Sequence, residues 1–177
     1  MPVWHNKRYC KAFALNVARE SRPGTHRMRG FMSQHRSPSA TAQDVITALA
    51  VPPRIKALGP IAGRFIHAMR LIALHERVGR DPVPELALRL GGVEVATKAL
   101  ILSHGIAASW PENIAVSRFC CRLMRHDEAT IGAFIDPAAH RDRGGFEGAL
   151  NGFVRPKRID RLWDGALALV AAEMRAV

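Results

Sequence analysis

Aromatic side chains are scarce in this sequence, at 6% of 177 residues with a single Tyr. A core must therefore be built mainly from Ala, Leu, Ile, Val and Met, a mixture that suits helices better than sheets. Cysteine is rare too. Cys10, Cys120 and Cys121 are odd in number and lack the spacing of a disulfide framework, which fits a reducing, cytoplasmic compartment. No stretch approaches the ~20 apolar residues that span a bilayer, and the first residues lack the unbroken apolar run of a secretory signal. Acidic residues are nearly missing from residues 1–45, where only Glu20 and Asp44 oppose Lys7, Arg8, Lys11, Arg19, Arg22, Arg27, Arg29 and Arg36.

What is present is enough for one core. Hydrophobic residues make up 48% and charged residues 23%, close to a globular average and far from a disordered chain. The formal charge is +11, of which the first 45 residues hold +6. Residues 1–44 read as a basic, largely disordered arm rich in Ser, Arg, Pro and Gly, with Met28 and Met32 as alternative starts. Such an arm can attract nucleic acid, weakly, or anionic lipid or acidic protein, in each case without specificity, and net charge alone selects none of these. Residues 45–177 read as a single helical domain, an irregular orthogonal bundle of about five or six helices.

Punctuation places these helices. Asp44 is an N-cap candidate before VITALAV. Pro60 opens a helix to about Val78 with Ile61, Phe65, Ala68, Met69 and Ile72 inward, and His67, Arg70 and Arg77 roughly opposite. A short helix over 85–90, a Gly91-Gly92 break and a helix over 93–107 follow, closed by Trp110-Pro111. IAVSRFCC at 114–121 reads as a connector. Asp127 caps a helix over 128–135 that Asp136-Pro137 interrupts. Gly144, Gly148 and Gly152 recur every four residues and predict a groove for another helix. Pro156 opens the last helix, whose stripe of Ile159, Leu162, Trp163, Ala166, Leu167, Val170 and Met174 makes Trp163 the expected core anchor.

Three sets of residues carry candidate chemistry. In PELALRLGGVEVATKALIL, residues 84–102, Ala87 and Gly91 have the spacing of a helix-turn-helix. Arg89, Glu94, Thr97 and Lys98 would be its nucleic-acid contacts. Against it stand a second Gly at 92, Thr97 where an aliphatic is usual, and few side chains able to read bases. A two-helix corner within a bundle is the simpler account, and clustering of Arg89, Lys98, Arg118, Arg122 and Arg125 on one face would favour DNA. Cys120 and Cys121 with His126 offer metal ligands or a reactive thiol. Adjacent cysteines in an extended chain point to opposite sides, however, so a connector with no metal is preferred, with at most one thiol more reactive than usual. His67, His75, His104 and His140 are dispersed, and no Walker lysine, nucleophile elbow or paired-carboxylate signature occurs.

The segment from about Phe65 to Ile135, with its LRLGG turn and the order C-C-x-x-M-x-x-D-E at Cys120, Cys121, Met124, Asp127 and Glu128, resembles a family of small alphaproteobacterial helical proteins of unknown function. The family pattern carries an additional Cys and a Pro near this motif. The resemblance implies a helical bacterial cytoplasmic protein and assigns no activity. The expected role is a non-enzymatic interaction or regulatory module without a cofactor, with a protein as partner.

Overall fold

In the computed structural model, residues 51–176 are described. The arm, Cys10 and the Asp44 cap with most of VITALAV lie outside them. From a 3₁₀ turn at Ile55–Ala57, the chain runs through α1 (Pro60–Arg77), α2 (Val83–Leu90), α3 (Val93–Ser109), α4 (His126–Ala139), α5 (Arg143–Leu150) and α6 (Pro156–Ala176). The described residues thus form six helices and no strand, apart from one isolated bridge between Arg54 and Leu123. Among them no helix is long and apolar enough to cross a membrane.

Local signals set several boundaries. Pro60 is the first residue of α1, where its missing N–H has no intrahelical acceptor to satisfy. Gly91, at φ 86°, turns α2 into α3 while its N–H and that of Gly92 both bond the Ala87 carbonyl. The largest helix pair is α3 on α6. Glycines make it close: Gly105 of α3 meets Leu162, and Gly165 of α6 meets Leu102. One apolar cluster joins Phe65, Met69, Leu86, Ile106, Ile131, Phe134, Phe146 and Leu162 through the interior.

Four expectations are corrected. Arg70 is not on the outer face of α1 but wholly buried, because Ala62, Ile66 and Ala73 extend the apolar surface around that side of the helix. Pro137 does not interrupt α4. It sits in the last turn, where one lost hydrogen bond is tolerable, and the Asp136 carboxylate is pinned by the Gly59 N–H at 3.1 Å. Nor do the glycines at 144, 148 and 152 form a helix groove: Gly152 lies outside α5 at φ 82°, and no neighbour approaches Gly148. Finally, α6 is rotated from its expected phase. Met174 is 72% exposed while Glu173 turns inward to Arg64, and Trp163 is half-buried rather than central.

Candidate functional site: a clamped connector and the cleft beside it

Residues 110–125 cross from α3 to α4 without regular structure, so their backbone groups need partners from elsewhere. Arg70 supplies three donations: Nη1 to the Cys121 carbonyl at 2.5 Å and, more weakly, to that of Arg118 at 3.4 Å, and Nη2 to that of Leu123 at 2.9 Å. The same guanidinium forms a two-point pair with Glu128, Nε to Oε1 at 2.5 Å and Nη2 to Oε2 at 2.8 Å. Both side chains are 0% exposed. Glu128 also accepts the N–H groups of Ser117 and Arg125, at 3.1 and 2.8 Å.

Asp127 holds the start of the connector. Its carboxylate accepts the Ala115 N–H at 2.7 Å and the Trp110 indole N–H at 3.3 Å. It lies within the first turn of α4, so it is not the N-cap expected from sequence. Acidic groups are favourable at a helix N-terminus, and here the same two carboxylates also gather N–H groups of the connector. Ile114 and Met124 add apolar anchors, each 4% exposed. The connector also meets the chain before α1 through the Ile55 N–H on the Arg122 carbonyl and the Met124 N–H on that of Pro53.

With its backbone tied inward, the connector turns charge outward. Arg118, Arg122 and Arg125 are exposed, and Arg54 flanks Leu123, itself 39% exposed. None of these four arginines has a carboxylate partner among the described residues.

A cleft of about 400 Å³ opens beside the connector, lined by α1, α2 and Phe119. Phe119 lies between the edge-on ring of His67, at 5.9 Å, and the guanidinium of Arg89, 4.9 Å from its centroid. Burial first, and the positive charge of Arg70 second, hold the His67 imidazole below its ordinary pKa.

The residues singled out from sequence are dispersed. Arg89 is held by Glu85 through Nε and Nη2, and Glu94 by Arg175 at 2.5 Å. The Thr97 hydroxyl donates to the Val93 carbonyl of its own helix. Lys98 is half-buried with no ion pair among the described residues. Cys120 is exposed and Cys121 half-buried, while the ring of His126 lies 6.5 Å from that of Phe153. No group of three His, Cys, Asp or Glu is placed to hold a metal ion among the described residues.

The pair at the centre of this arrangement, Arg70 and Glu128, was not legible as a pair. The signal was an Arg at i+4 from Ile66 and i−3 from Ala73, inside what is a second apolar stripe. The C-C-x-x-M-x-x-D-E order is explained by anchoring: Met124 is buried, Asp127 and Glu128 hold the connector, and Cys121 contributes its carbonyl. No family model, curated protein or solved structure matches the chain.

Proposed function

We propose that this chain is a non-enzymatic interaction module of the bacterial cytoplasm that presents its clamped connector to an acidic protein surface. The observation that carries this is that Arg54, Arg118, Arg122 and Arg125 have no carboxylate partner among the described residues, three of them standing on a connector held from beneath by the buried Arg70–Glu128 pair. Because the loop is ordered before contact, binding does not have to freeze it. Leu123 among these arginines gives an apolar centre with a cationic rim, the composition of a protein contact more than of a phosphate track.

A second reading, DNA recognition through α2 and α3, is favoured by the left-handed turn at Gly91, four residues after Ala87, and opposed by the second glycine at 92 and by the engagement of Arg89, Glu94 and Thr97 within the fold. One experiment separates them. A photo-crosslinking residue in place of Leu123, in cells of the native host, is expected to trap an acidic protein, and Arg122→Glu with Arg125→Glu is expected to abolish the adduct. A nuclease-sensitive adduct would instead promote the DNA reading, and the absence of any adduct would overturn the assignment of this surface.

A further inference from the structure

The cleft between α1 and α2 is independent of that reading. Its floor is apolar, formed by Ala68, Leu71, Leu86 and Leu90, and Phe119 closes one side. Its polar groups are Arg64, His67 and Arg89, and no carboxylate among the described residues lines it. Glu173 and Glu85 hold the two arginines from outside the cleft. Arg64 uses Nη1 on Glu173 at 3.0 Å and Nη2 on the Leu90 carbonyl at 2.7 Å, while Arg89 uses Nε and Nη2 on Glu85. A guanidinium has five N–H donors, so Arg64 Nε and Arg89 Nη1 keep donors without an acceptor among the described residues.

We propose that this cleft binds a small aryl carboxylate, a flat apolar body with one anionic end. About 400 Å³ lies within the range of small-molecule sites, which pair an apolar lining with a few fixed polar groups. The ring lies over Leu71, Leu86 and Leu90 beside Phe119, and the carboxylate accepts from the unused donors of Arg89 and Arg64. A monoanion suits the charge here better than a phosphate, because each arginine is already partly neutralised by its own carboxylate and the floor offers no further donors. The two arginines are positioned before the ligand arrives, which limits the ordering cost of binding.

Titration of the full chain with 2-naphthoate, benzoate and the uncharged 2-naphthamide tests this, read by calorimetry and by the NMR signals of the His67 and Phe119 rings. Expected are one saturable site for a carboxylate, shifts at both rings, and binding of the amide weaker by about tenfold or more, as loss of a charge-assisted hydrogen bond requires. Arg89→Gln, at an exposed position that leaves the core intact, is expected to weaken the carboxylate by a similar factor and the amide by clearly less, because the amide oxygen makes only a neutral-acceptor bond to the same donor. The proposal is overturned if neither carboxylate saturates, if acid and amide bind equally, if the shifts fall elsewhere, or if Arg89→Gln binds as the parent does.

Discussion

Replacing Arg70 by Met removes the donor that joins α1, α4 and the connector. Met fills much of the same space, so the loss is electrostatic rather than a cavity. Glu128, 0% exposed, would keep only the Ser117 and Arg125 N–H groups, and the carbonyls of Cys121 and Leu123 would lose their donor. Stranding one partner of a buried ion pair costs about 3–5 kcal/mol. Against the ~5–15 kcal/mol that holds a domain folded, that is a large fraction. Glu128→Leu strands the guanidinium and is expected to cost a similar amount. The double variant, which buries no charge, is expected to be more stable than either single one, with a coupling of at least ~2 kcal/mol. Urea unfolding followed by far-ultraviolet circular dichroism gives all three values. A single-variant cost under ~1 kcal/mol, or a double variant whose loss equals the sum of the singles, would mean that Arg70 and Glu128 do not depend on each other.

Further outcomes follow from packing and charge. Phe146→Ala, at a 0% exposed position, is expected to cost about 3–5 kcal/mol in thermal or urea unfolding, whereas half-buried Trp163→Ala costs less than about half of that. Gly91→Ala forces a side chain into φ 86° and is expected to lose about 1 kcal/mol, measurable as a shift in the unfolding midpoint without change in helix content. His67 has a folded pKa below its ordinary 6.5, so the unfolded chain takes up the proton first and stability falls as pH drops from ~6.5 toward the folded value; His67→Gln is expected to remove that slope. Glu173 has the opposite sign. Burial outweighs Arg64 and raises its pKa above the ordinary 4.5, so stability falls as pH rises from ~4.5 through the folded value, and Glu173→Gln is expected to flatten that part of the stability curve.

Much of the helix layout was legible because it is written locally. Pro60 and Pro156 open α1 and α6, and Gly91-Gly92 divides α2 from α3, each through a backbone property of that residue alone. What was not legible depends on residues far away in sequence. Asp136-Pro137 reads as a break, yet α4 runs on to Ala139, with the Asp136 carboxylate tied down by Gly59, 77 residues earlier. In the phase α6 adopts, Glu173 meets Arg64 across the bundle, a placement that a stripe of Leu, Ala and Val does not encode. At the site, the vicinal cysteines drew attention to their thiols, while the groups that organise the connector are backbone carbonyls, which no side-chain motif announces. Phe119 and Arg89 belong to one cleft only because the clamp brings the connector against α2.

One buried ion pair orders the connector, and hydrogen exchange of the Ser117 and Arg125 amides reads that order at the bonds themselves, since both donate to Glu128. Both are expected to be strongly protected in the parent protein. In Arg70→Met the two amides should exchange much faster, while those at the α3 and α6 interface stay protected. Unprotected amides at 117 and 125 in the parent, or exchange unchanged by Arg70→Met, would contradict it.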